Sequence, residues 1–127
     1  MLNTKILVAD DTVTMRLIVS QLLKGWNYDY TIVADGLEAL KKLNTERFDL
    51  ILMDLDMPVM DGITATKKIR NHTDENTRNI PIIAISFSIT RENRAELLAL
   101  GMNDCLSKPI NPAILKTKIE QYLKKVG

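Results

Sequence analysis

Asp10, Asp11, Asp54, Ser86 and Lys108 each stand where a short apolar run gives way to polar sequence: Ile6-Leu7-Val8-Ala9, Leu50-Ile51-Leu52-Met53, Ile82-Ile83-Ala84-Ile85 and Cys105-Leu106. Runs of that length read as strands, so three carboxylates, a hydroxyl and an ammonium gather at strand ends. Like charges in one pocket repel, and a bound divalent cation removes the repulsion. A shell of carboxylates, a backbone carbonyl and waters suits Mg²⁺, and the sequence offers no Cys/His set for zinc. A carboxylate beside such an ion is a nucleophile toward a phosphoryl group, because the metal offsets charge on the phosphoryl oxygens and holds donor and acceptor in line. Lys108 adds a fixed cation for one phosphoryl oxygen, and Ser86 a hydroxyl donor for another. The predicted chemistry is reversible phosphorylation of one aspartate. Asp54 is the candidate acceptor because it ends the most apolar strand.

Such a site needs strands that deliver their ends to one edge. Apolar runs alternate with helical periodicity in five strand–helix pairs, the pattern of βαβ units around a doubly wound parallel sheet in three αβα layers. The first strand is Lys5 to Ala9, followed by a helix with Met15, Ile18 and Leu22 facing inward and Gly25 as its stop. Tyr28 to Val33 is a second strand, and Asp35 with Glu38 reads as a capping box for a helix that buries Leu40 and Leu43. Asp49 to Met53 is the central strand. Leu55 to Gly62 is a loop, leading to a helix that runs to about Arg70, and Asn71 to Asn79 is polar and turn-rich. A strand from Pro81 to Ser86 precedes a helix from Thr90 to Leu100, stopped by Gly101. After a short fifth strand, Asn111 and Pro112 open a last helix with Leu115, Ile119 and Leu123 inward and Lys124-Lys125 at its solvated end. With strand order 2-1-3-4-5 the reversal lies between strands one and three, where ligands bind in open α/β sheets, and the carboxylates come side by side.

Bulk properties agree with one domain over residues 1–127. Apolar residues make up 46% and charged residues 26%, and 17 basic against 16 acidic side chains leave a net charge of +1, which gives nucleic-acid binding no support. A lone Cys105 forms no internal disulfide and reads as a small buried hydrophobe, Met1 leads directly toward a strand and not into a basic leader, and no apolar stretch approaches the ~20 residues of a membrane span. The expectation is a cytoplasmic protein with no membrane partner. His72 sits in a polar loop and reads as an ordinary titratable side chain.

The blocks Val8-Ala9-Asp10-Asp11, Asp49 through Asp54 to Met57-Pro58-Val59-Met60-Asp61-Gly62, Pro81 to Ser86, and Gly101 to Lys108-Pro109-Ile110 resemble, in order and spacing, the receiver domain of two-component response regulators. The Met-Pro-Val-Met-Asp-Gly wording is closest to receivers of hybrid sensor kinases. The resemblance implies a flavodoxin-like receiver fold, with Asp54 as phosphoacceptor, Asp10 and Asp11 as metal carboxylates, the Asp56 backbone carbonyl as a further Mg²⁺ ligand, Ser86 as switch hydroxyl and Lys108 as phosphate-binding lysine. Pro109 follows it, often in cis in the family. A histidine kinase or histidine phosphotransfer protein would be the donor, the chain would catalyse only its own phosphorylation and dephosphorylation, and a phosphorylation-dependent dimer would use the fourth helix, fifth strand and last helix.

Two positions depart from the family pattern. Cys105 replaces the usual aromatic residue three before the lysine, and Phe87 replaces a small residue after the switch hydroxyl. Phe87 is predicted to fill part of the missing aromatic volume, to lie over the pocket mouth and to slow bulky donors. Asp56, two residues past the acceptor, is placed to act on the hydrolytic water. Competing readings are a haloacid-dehalogenase-like phosphatase using Asp54-Leu55-Asp56, whose motif order is wrong here, and a flavodoxin-like mononucleotide binder, whose phosphate loop Asp10-Asp11 would repel. A degenerate receiver that only docks is a third.

Overall fold

The computed structural model describes residues 4–124. β1 (Lys5–Ala9), β2 (Asp29–Val33), β3 (Leu50–Asp54), β4 (Ile82–Ser86) and β5 (Asp104–Ser107) form one sheet in the order β2-β1-β3-β4-β5, every neighbouring pair parallel. That is the expected order. All residues of β3 and β4 are buried, as strands covered on both faces must be.

Side chains alternate across the sheet into two cores. Leu7, Ile51, Met53, Ile82, Ala84 and Cys105 face α2 (Gly36–Thr45), α3 (Gly62–Arg70) and α5 (Arg91–Ala99), meeting Ala39, Leu43, Ala65, Ile69 and Leu97. Ile6, Val8, Leu50, Leu52, Ile83 and Ile85 face α1 (Val13–Gly25) and α6 (Pro112–Lys124), meeting Met15, Val19, Leu23, Leu115 and Ile119. Each fully buried Leu or Ile contributes about 1.5–3 kcal/mol, so the layers form a stiff base for the loops at the strand ends.

Several local expectations are corrected. The inward stripe of α1 is Met15, Val19 and Leu23, while Ile18 is 41% exposed and Leu22 only partly buried. Leu17 to Val19 and Leu22-Leu23 are apolar in series, so periodicity did not single out one stripe. Gly25 lies inside α1; the chain reverses at Asn27, whose φ of 65° is the left-handed conformation that Asn tolerates. Asp35 caps α2 as expected, accepting from the Glu38 N–H at 2.9 Å, but the Glu38 carboxylate reaches the Ala34 N–H and not that of Asp35. Ala39 joins Leu43 in the core, and Leu40 is partly buried. The stretch after α3 holds an unexpected single turn, α4 (Glu75–Arg78), capped by Asp74, which accepts from Thr77 N at 2.9 Å and Thr77 Oγ1 at 3.0 Å. In α6, Leu115 and Ile119 are buried and Leu123 partly so, with the Asn111 side chain accepting from Ile114 N at 3.2 Å. The side chain of Lys124 and all of Lys125 lie outside the described residues.

Candidate functional site

Backbone pairing continues one residue beyond the strands and thereby fixes the site. Asp10 N donates to Val33 O at 3.0 Å, Leu55 N to Ile85 O at 3.2 Å, and Lys108 N to Ser86 O at 2.9 Å. Asp54 and Ser86 are the last residues of β3 and β4, in register with Ile85 and Ser107. The Leu55–Gly62 loop folds back on β3: Gly62 N donates to Leu55 O at 3.2 Å, and a Cβ on Gly62 would collide with the Asp54 carbonyl oxygen. Only glycine permits that approach. Within the loop, Met60 N bonds Pro58 O at 2.6 Å around Val59, whose φ of 66° is strained for a β-branched residue.

Four of the five predicted side chains converge. Carboxylate oxygens of Asp10, Asp11 and Asp54 lie within 4.8 Å of one another, with Asp10 and Asp54 buried and Asp11 exposed. Lys108 Nζ stands 3.3 Å from Asp10 Oδ2 and 3.5 Å from Asp54 Oδ2, buried with them. Its backbone leads into a cis Lys108–Pro109 peptide. Backbone N–H groups hold the other carboxylate oxygens: Thr12 N to Asp10 Oδ1 at 2.8 Å and Asp56 N to Asp54 Oδ1 at 3.2 Å.

Charge decides what this pocket can accept. Burial pushes the Asp54 carboxyl above its usual range; the Asp56 N–H opposes this, Asp10 adds to it, and Lys108 opposes it. Three carboxylates against one ammonium leave about two negative charges to balance. A divalent cation with oxygen ligands fits that deficit and that donor set, and Mg²⁺ suits a half-open site where waters complete the shell.

Ser86 is buried, its Oγ accepting from Ser88 N at 3.1 Å and lying 3.5 Å from Asp56 Oδ2, a weak bond at that length. The Phe87 ring stands beside Lys108, its centroid 5.4 Å from Nζ. Its predicted filling of buried volume is overturned: Phe87 is 73% exposed, whereas Cys105 is packed in the core facing α2, α3 and α5. An aromatic ring on the turn after β4 points out over Lys108 because the residue before it, Ser86, points in. Burial also pushes the Cys105 thiol up, in keeping with a packing role.

One cluster escaped the sequence reading. Asp104, at the start of β5 and buried, takes Arg94 Nη2 of α5 at 3.0 Å on Oδ1. On Oδ2 it takes Lys118 Nζ at 2.9 Å and the Tyr122 hydroxyl at 2.9 Å, both from α6. An acid opening a short apolar strand is the only hint the sequence carries.

The family model of the response regulator receiver domain matches residues 6–120. The chain is a receiver domain of two-component signalling. This receiver is 38% identical over 125 residues to the chemotaxis protein CheY-3 of Vibrio cholerae, covering 98% of the chain and 95% of that protein. It is also 37% identical over 116 residues to the sensor protein EvgS of Escherichia coli K12, covering 91% of the chain but only 9% of that much longer protein. Among solved structures, the receiver domain of a Pseudomonas aeruginosa PAO1 sensor histidine kinase, with magnesium coordinated in its active-site cleft, shares 35% identity at a TM-score of 0.87, covering 97% of the chain and 99% of that domain. A Francisella response regulator receiver domain aligns at a TM-score of 0.90 with 33% identity, covering 98% of the chain and 100% of that domain. The receiver family is a phosphoacceptor signalling module. No helix among the described residues is long and apolar enough to cross a membrane.

Proposed function

We propose that residues 1–127 act as one cytoplasmic phosphoacceptor domain that takes a phosphoryl group onto Asp54 from a histidine kinase or histidine phosphotransfer protein. The observation that carries this is the pairing of Lys108 with Asp54 and Asp10 beside the exposed Asp11 carboxylate. An Asp54 oxygen bonds to phosphorus as the phosphorus–nitrogen bond of the donor breaks, and the leaving imidazole takes up a proton. Asp10, Asp11, Asp54 and the Asp56 carbonyl would hold Mg²⁺, which supplies neutralisation of the phosphoryl oxygens. Lys108, already fixed by two carboxylates, binds one product oxygen, and Ser86 turns its hydroxyl to another.

The direct test incubates the chain with Mg²⁺ and a small acyl phosphate and follows intact mass. One added phosphoryl group supports the reading; no uptake from acyl phosphate, and no response to beryllofluoride, would leave a degenerate docking receiver.

Phe87 makes a second expectation measurable. Its exposed ring over Lys108 narrows the approach for a protein donor more than for a small one. Phe87→Ala should speed transfer from a phosphohistidine protein several-fold more than transfer from acyl phosphate, read as the ratio of the two rates. Equal rates before and after the change would remove the gate.

Asp56 bears on the lifetime. A cleft of about 550 Å³ opens beside it, bordered by Ser86, Ser88 and Asn93, with room for water. Its exposed carboxylate can orient that water and, 3.5 Å from the Ser86 hydroxyl, competes weakly with the product for its proton. Both effects shorten the lifetime, so Asp56→Asn should slow decay of the phosphorylated form about three- to tenfold, below the 10²–10⁴ of a dedicated general base. An unaltered decay rate excludes the residue.

A further inference from the structure

We propose that Asn93 and Arg94 form a hydrogen-bonded relay that carries the state of Ser86 through α5 to Asp104 and α6, in place of the aromatic side chain that Cys105 lacks. This rests on reading Asp54 as acceptor and Ser86 as the hydroxyl that answers it.

The contacts are continuous. Ser86 Oγ accepts from Ser88 N at 3.1 Å, and the Ser88 carbonyl accepts from Asn93 Nδ2. Asn93 is also half of the capping box of α5: its Oδ1 accepts from Thr90 N at 2.7 Å, and its N–H donates to Thr90 Oγ1 at 3.1 Å. The next residue, Arg94, bonds Asp104, which bonds Lys118 and Tyr122 on α6. The Asp104 carboxylate also accepts from Cys105 N at 2.8 Å, so the chain of contacts arrives at the position where the family places its ring.

Two features make this route responsive. The Ser86 hydroxyl has one proton and lies 3.5 Å from Asp56 Oδ2; aiming that proton at a phosphoryl oxygen turns Oγ away from Asp56 and re-orients the lone pair that accepts from Ser88 N–H. The turn from Phe87 to Thr90 must then readjust, with Asn93 tied to its carbonyl. Meanwhile α5 is lightly packed, with Leu97 the one buried residue in its nine, so a few polar bonds weigh heavily in setting its position. A displacement of α5 pulls Arg94 against a buried Asp104, and that carboxylate is shared with α6. Two arrangements of one bonded network, each favoured by one state of Ser86, are what a two-state switch requires.

The test uses amide spectra of the whole chain, with and without saturating beryllofluoride and Mg²⁺ standing in for the phosphoryl group. The native chain should show shifts around Asp54, along α5, at Asp104-Cys105 and at Lys118 to Tyr122. Asn93→Asp keeps an oxygen for Thr90 N, and so keeps the helix cap, but loses the donor to Ser88. Its shifts around Asp54 should persist while those at Asp104-Cys105 and α6 fall ~2-fold or more. Arg94→Gln, a partly exposed position that does not touch the cap, should keep the response at the start of α5 and lose it at α6. Distant shifts of native size in both variants overturn the relay and leave the acceptor reading intact. Absence of any shift around Asp54 in the native chain overturns both.

Discussion

Asp54→Asn should take up no phosphoryl group from acyl phosphate or from a phosphohistidine donor, under conditions where the native chain takes up one. The amide is nearly isosteric and its oxygen can still accept from Asp56 N, so the loop after β3 is retained. What is lost is the nucleophile, since an amide oxygen lacks the charge that attacks phosphorus, and no neighbouring acid replaces it: Asp10 is engaged by Lys108 and Thr12, and Asp11 is exposed. The same variant should be more stable than the native chain at neutral pH without Mg²⁺. The sign follows from the carboxyl being pushed up by burial and by Asp10 despite Lys108. The folded state then holds a proton more firmly than the unfolded one, so stability falls as pH rises past the unfolded carboxyl's ~3.9, and asparagine removes that loss. Mg²⁺ should raise the melting temperature of the native chain and raise that of Asp54→Asn much less, because stabilisation by a ligand scales with its affinity for the folded state. Equal Mg²⁺ stabilisation of both proteins, together with undiminished phosphoryl uptake by the variant, would dismiss Asp54 as the acceptor.

Asp104→Ala should cost about 2–3 kcal/mol of stability and lower the melting temperature by about 10 °C. The change strips a buried carboxylate from Arg94, Lys118, Tyr122 and the Cys105 N–H. Arg94 and Lys118 reach water, at 43% and 22% side-chain exposure, so they rehydrate and the loss stays below that of a fully buried pair. The effect depends on pH at both ends. Burial raises the Asp104 carboxyl, but hydrogen bonds from Lys118, the Cys105 N–H and Tyr122 outweigh it and hold the group below its usual range. A depressed carboxyl stabilises the fold above the unfolded value of ~3.9, and the contribution disappears as pH falls toward the folded value. At the alkaline end, burial and the Asp104 bond push the Tyr122 hydroxyl up to about 12. That contribution is present below the unfolded tyrosine value of ~10 and lost as pH climbs toward the folded one. Asp104→Asn should therefore show a flatter acid limb in urea unfolding, and ultraviolet titration should find Tyr122 ionising at lower pH than in the native chain. Parallel stability curves for the two proteins from pH 3 to 5 would show that Asp104 carries no such share.

The order of the sheet and the gathering of Asp10, Asp11, Asp54 and Lys108 at one edge of it were legible in the sequence for a physical reason. Strands buried on both faces read as unbroken apolar runs, and a parallel sheet delivers all their carboxyl ends to one edge, so a polar residue just past each run is placed there by topology alone. Asp10, Asp54, Ser86 and Lys108 obey that rule and are buried together. Less was determined where a choice depends on neighbours distant in sequence. The buried stripe of α1 is Met15, Val19 and Leu23 because the sheet and α6 select one row among several apolar ones. The single turn of α4 forms in a polar segment because Asp74 caps it locally, while Arg70 donates to Arg78 O at its end at 2.8 Å and ties it to the loop before β5 by donating to Gly101 O at 2.8 Å.

By itself, then, the sequence determined the receiver fold and which carboxylates meet Lys108 at one edge of its sheet, because both follow from local apolar runs and their order. Only the tertiary structure decided how that edge is connected to the rest. Phe87 covers Lys108 instead of filling the core, and Asp104 joins α5 to α6, because rotamers and ion pairs are selected by packing between elements that no local pattern encodes.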